Sequence, residues 1–105
     1  MKFTKKIGIR EFAIDTPEQV KIHIILHELG HKVYSESKLT DKYEKLKKLK
    51  KQSIENNSIL SISWYAKYSS DIEDFFSEIF AVYVRGGNLP EEMKLYVLEV
   101  IDAGI

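Results

Sequence analysis

Residues 20–34 read VKIHIILHELGHKVY. Ile22, Ile25, Leu26, Leu29 and Val33 recur at three and four residues, the spacing of an apolar stripe along one side of a helix. The upstream DTPEQ (15–19) is a helix start: Thr16 as N-cap, Pro17 in the first turn and Gln19 closing a capping box. On a face beside the stripe, His27 and His31 stand four apart with Glu28 between them in register. Three ionisable side chains at the centre of an otherwise apolar helix need a partner. A zinc ion is the partner that two imidazoles one turn apart fit best, because neutral imidazole is a good zinc ligand. Glu28 is then placed to take a proton from a water that the metal has acidified, which makes HELGH a compact hydrolytic unit. His23 is in phase with His27 one turn earlier, and is expected on the surface or behind a ligand rather than on the metal.

The rest of the chain sets what that ion can find. The 105 residues predict one domain spanning 1–105, 44% hydrophobic and 30% charged, with formal net charge +0. That balance gives the whole protein no electrostatic pull toward nucleic acid or acidic membranes. Cysteine is absent, which removes disulfides, thiol nucleophiles and thiolate ligands together. Catalytic zinc takes three protein ligands and an open position. With only three histidines, the third ligand is expected to be a carboxylate.

Candidates cluster in DIEDFFSE (71–78), at the head of a second predicted helix with Ser70 as cap and Glu73 completing its capping box. Asp74 and Glu78 share a face, while Glu73 falls off it and is explained by capping. One of the pair binds zinc and the other accepts a hydrogen bond from the far nitrogen of a ligand histidine. Phe75, Phe76, Ile79, Phe80, Val82 and Tyr83 supply this helix with apolar surface, and RGGN (85–88) stops it.

Residues 35–57 are lysine-rich, with Leu39, Tyr43, Leu46 and Leu49 at helical spacing: an amphipathic helix with a solvated basic face. A last helix starts near Pro90 and turns Met93, Tyr96, Val97, Val100 and Ile101 inward. Residues 5–14 alternate partially and predict one strand, and SILSISWYAKYSS (58–70) is a short strand or an ordered loop. No secretory signal or membrane span is evident, and the chain as given reads as cytoplasmic, or as a domain whose export signal lies outside it.

HELGH followed by WYAKYSSDIEDFFSEIFAVY (64–83) resembles the catalytic domain of anthrax lethal factor and its bacterial relatives, Pro-Pro endopeptidases among them. These are zinc metallopeptidases of the gluzincin type, whose second motif is a tyrosine, a short polar loop and a helix of the form E-F-F-A-E-x-F. DFFSEIF (74–80) follows that helix position by position, and the resemblance spans roughly residues 16 to 102. It implies an α+β, mainly helical fold: a minimal zincin-like metalloprotease domain with at most a small β element. It further implies His27 and His31 as zinc ligands, Glu28 as general base, Asp74 as third ligand and Glu78 as the carboxylate behind a histidine.

The chain departs from the family at Asp74, where the relatives carry glutamate. The shorter side chain requires the two helices to approach more closely, and weaker metal binding is expected. The family tyrosine, which stabilises the oxyanion or protonates the leaving group, stands seven residues before the ligand. Here Tyr65 is nine before and Tyr68 six before; the SWYA context favours Tyr65. A peptide or protein substrate and a Zn2+ cofactor follow from the resemblance, with no nucleic acid or membrane partner. The alternatives are a zincin-fold binding or toxin-associated module without turnover, or a regulatory protease of the phage-repressor-cleaving type.

Overall fold

Pro17 opens a twenty-residue helix, α1 (Pro17–Glu36), whose first turn tolerates a residue without an N–H because no intrahelical acceptor is available there. The computed structural model describes residues 17–57 and 71–104; the expected strand at 5–14, the segment 58–70, Thr16, Ser70, Tyr65 and Tyr68 lie outside them. Three further helices follow: α2 (Lys42–Glu55), α3 (Ile72–Val84) and α4 (Glu91–Asp102). The fold is mostly helical, with no strand among the described residues. No described helix is long and apolar enough to cross a membrane.

α3 is the central element and touches the other three helices. Every residue from Asp74 to Val82 is buried, so this helix has no solvent face through its middle. Phe75, Phe76, Ile79 and Phe80 meet Tyr34 of α1, Leu46 of α2 and Met93, Tyr96, Val97 and Val100 of α4 in one core. Each large apolar side chain contributes about 1.5–3 kcal/mol on burial, enough for α3 to organise a small domain. Asp71, not Ser70, is its N-cap: in an extended conformation its carboxylate accepts from the Glu73 N–H at 3.0 Å. At the other end Gly86, at φ +81, reverses the chain, with Gly86 N–H donating to the Tyr83 carbonyl and Gly87 N–H to that of Val82. This Schellman pairing is the stop that RGGN predicted.

The side of α1 that faces the core differs from the expected one. Ile22, Ile25 and Leu29 are 47%, 64% and 43% exposed, while His23, Gly30 and Tyr34 are buried. Of the predicted stripe only Val33 packs against the core formed by the described residues. Gly30 supplies the reason. A Cβ there would sit 2.9 Å from the Ser77 Cα and 3.2 Å from the Phe80 ring, so α1 and α3 meet almost backbone to backbone along the glycine. The close approach selects the His23–His27–Gly30–Tyr34 face, and carboxylates on α3 compensate for the histidines it buries.

The lysine-rich stretch is likewise not one helix. Asp41, at φ 61, separates α1 from α2, and residues 37–41 form the turn between them. Lys42 then reaches back to donate to the Tyr34 and Ser37 carbonyls at 2.6 and 2.9 Å, placing a cation at the C-terminal end of α1. Its own carbonyl accepts from the buried Tyr96 hydroxyl at 2.5 Å. α2 and α4 are thereby tied to the end of the helix that carries the histidines.

Candidate metal centre

His23, His27 and His31 climb one side of α1 in steps of four residues, and Asp74 and Glu78 climb α3 in one such step. Each step advances about 6 Å along a helix axis, and the two ladders run in opposite directions and interleave. Glu78 lies between His23 and His27, and Asp74 between His27 and His31. The His27 Nε2 is 3.2 Å from the Asp74 Oδ1, and the His31 Nε2 is 2.9 Å from the same oxygen. On its other side the His27 Nδ1 is 2.6 Å from the Glu78 Oε2.

These groups can hold a cation. His27, His31 and Asp74 each offer one ligand atom, all within 4.8 Å of one another. Zinc bound at its usual lengths to nitrogen and oxygen sets neighbouring tetrahedral ligand atoms about 3.3 Å apart. The observed 3.2 and 2.9 Å fall close to that value. Asp74 has the reach to share the site because Gly30 lets the helices close up, which answers the missing methylene. Glu78 occupies a different position: its contacts run to His23 and to the rear nitrogen of His27, not to the nitrogens that converge on Asp74.

The proton count of the ladder also suits a cation. In the absence of one, both His27 nitrogens face carboxylates and each short contact needs a hydrogen. Burial alone pushes the His27 imidazole down, but hydrogen bonds and charge from Glu78, then Asp74, outweigh it and hold its pKa above the ordinary value. A divalent ion held by His27, His31 and Asp74 would require His27 to be neutral, with its remaining hydrogen on Nδ1 donated to Glu78. The first turn of α3 adds to the attraction. Asp71, Glu73 and Asp74 gather at the helix N-terminus, which stabilises anions and thereby a negatively charged site beside the imidazoles.

Three features of this centre were not legible as such. Glu73, expected to serve the cap, turns its side chain outward from it: Oε1 is 3.8 Å from the His31 Nδ1 and Oε2 accepts from the Tyr43 hydroxyl at 3.3 Å. Asp71 had taken the capping role, which released Glu73 toward α1. His23, expected on the surface or behind a ligand, is buried and reaches both Glu78 oxygens rather than a ligand histidine. Lys50 of α2 lies within electrostatic range of Asp74 and Asp71, and burial lowers its pKa against their attraction. The matched ladders at 23/27/31 and 74/78 were the available sequence signal for His23; nothing in the spacing signalled Tyr43 or Lys50. Glu28 is exposed on α1 in the turn between His27 and His31.

Comparison of the chain with known protein families, with curated proteins and with solved structures gave no match.

Proposed function

We propose that this protein is a zinc-dependent endopeptidase with a minimal zincin-like fold, in which His27, His31 and Asp74 hold the metal. The observation that carries the reading is the convergence of two imidazole nitrogens from α1 on one carboxylate oxygen from α3, at 3.2 and 2.9 Å. Zinc in such a site supplies a Lewis acid for a peptide carbonyl and lowers the pKa of water to about 7.

The chain's own residues supply the rest. Glu28, exposed beside the site, takes the proton of the attacking water and passes it to the departing amine. Glu78 fixes the His27 ring so that Nε2 faces Asp74. Tyr65 is proposed to stabilise the developing oxyanion. Zinc held by these three side chains from two helices would keep room for water or substrate, as catalytic rather than structural sites do.

A second reading keeps the metal and drops the turnover: a zincin-fold binding module. The exposed Ile22, Ile25 and Leu29 on the motif helix favour it, since an apolar stripe beside a site is suited to a protein contact. Metal analysis combined with Glu28→Gln and a peptide library separates the two. The endopeptidase reading expects Glu28→Gln to keep its zinc and lose about 10²–10⁴-fold in cleavage rate. Zinc binding with no Glu28-dependent cleavage supports the module.

A further inference from the structure

His23 is a buried histidine with one nitrogen used and one not. Its Nε2 lies 3.2 Å from Oε1 and 3.1 Å from Oε2 of Glu78. Its Nδ1 is buried and has no hydrogen-bond partner among the described residues. A carboxylate only accepts, so the hydrogen belongs on Nε2. A hydrogen on Nδ1 would be a buried donor with nothing to receive it, which costs about 1–3 kcal/mol. Both ends of the ring therefore select one form: neutral, with Nε2–H pointing at Glu78.

Glu78 is in turn 2% exposed and accepts from two imidazoles, His23 on one side and His27 on the other. Without His23 the carboxylate would lose a donor that spans both of its oxygens, and because a terminal carboxylate torsion is broad, that loss shifts the preferred angle of the group. Any rotation carries Oε2 away from the His27 Nδ1. The hydrogen that Glu78 holds on Nδ1 is what leaves the His27 Nε2 lone pair open toward Asp74.

We infer that His23 is a positioning residue for the metal centre: it clamps the Glu78 carboxylate, and through it fixes the tautomer and orientation of His27. This rests on the metal-site reading of His27, His31 and Asp74. The line His23–Glu78–His27 extends the site by one residue beyond the carboxylate that backs a ligand histidine. It gives a reason for an imidazole in a stretch of isoleucines, where an aliphatic side chain of similar size would bury more cheaply.

The test compares wild type, His23→Leu and His23→Gln for zinc affinity by competition with a chelator, and for the visible spectrum of the cobalt-substituted protein. His23→Leu is expected to bind zinc about 10- to 100-fold more weakly and to shift the cobalt spectrum. His23→Gln, which keeps an N–H donor, recovers part of both. Equal affinity and an unchanged spectrum in His23→Leu overturn the inference. Absence of zinc binding in the wild type overturns the metal-site reading instead. If the wild type binds no zinc, or if His23→Leu fails to fold, nitrogen-15 spectra of the wild-type histidines decide on the clamp. Hydrogens on the His23 Nε2 and His27 Nδ1 uphold it; neutral His27 with its hydrogen on Nε2 rejects it.

Discussion

The Glu78 Oε2 stands 2.6 Å from the His27 Nδ1, on the side of the ring away from Asp74. This contact sets two opposite pH responses. In the metal-free protein the carboxylates raise the His27 pKa, so the folded state holds the proton more tightly than the unfolded chain does. The stabilisation is complete below the unfolded histidine value of about 6.5 and is lost as pH rises through the higher folded value. Zinc competes with that proton, so its affinity rises with pH across the same window. Thermal unfolding from pH 5.5 to 9 is expected to show metal-free stability falling and the increment due to zinc growing. Parallel curves with and without zinc would count against His27 as a ligand.

Gly30 controls the distance between the two ladders. In Gly30→Ala the new methyl meets the Ser77 Cα, a backbone atom that cannot swing aside. Alanine gains about 1 kcal/mol of helix propensity over glycine. Overpacking costs about 1–3 kcal/mol, so the net effect is expected to be destabilising. Spreading the helices also separates Asp74 from both imidazoles. Denaturant unfolding and zinc titration should therefore worsen together; a variant more stable than wild type with unchanged zinc affinity would show that the approach is not tight.

Asp74→Glu restores the residue that the resembling metallopeptidases carry, and is nevertheless expected to weaken zinc binding by at least about tenfold, as expected for a displaced ligand. Asp74 Oδ1 already lies within 3.2 Å of both nitrogens, and an added methylene has no slack to occupy. Isothermal titration with zinc measures this. Tighter binding by the glutamate variant would mean that the helices stand further apart than described here.

Tyr96→Phe tests the scaffold separately from the site. The Tyr96 hydroxyl donates to the Lys42 carbonyl and lies 3.3 Å from the Tyr34 hydroxyl, and burial, then Tyr34, pushes its pKa far up. Removing it deletes one hydrogen bond to the part-buried Lys42 carbonyl, at about 0.5–1.5 kcal/mol. A lowered midpoint in denaturant with zinc stoichiometry unchanged is the expected result. Loss of zinc in this variant would tie α4 to the metal centre in a way the geometry does not suggest.

Much of the site was readable because it depends on spacing, and spacing is preserved in sequence. Two residues four apart share a helix face whatever else happens, so His27 with His31 and Asp74 with Glu78 could be paired directly. The helix over 72–84 and its glycine stop were readable for similarly local reasons. The inward face of α1 was not. Apolar periodicity pointed to Ile22, Ile25 and Leu29, while the side chain that decided the matter was the missing one at Gly30, whose effect depends on Ser77 and Phe80 across the interface. The cap of α3 was misplaced for a comparable reason: Ser70 with Glu73 fits a capping box in sequence, whereas the extended backbone at Asp71 makes that residue the N-cap.

The central claim is that His27, His31 and Asp74 together bind one zinc ion. Native mass spectrometry of the protein after incubation with zinc measures it most directly, alongside Asp74→Ala and His31→Ala. The account predicts one zinc per wild-type chain and none retained by either variant. A wild-type chain that stays metal-free, or variants that retain zinc as the wild type does, would contradict it.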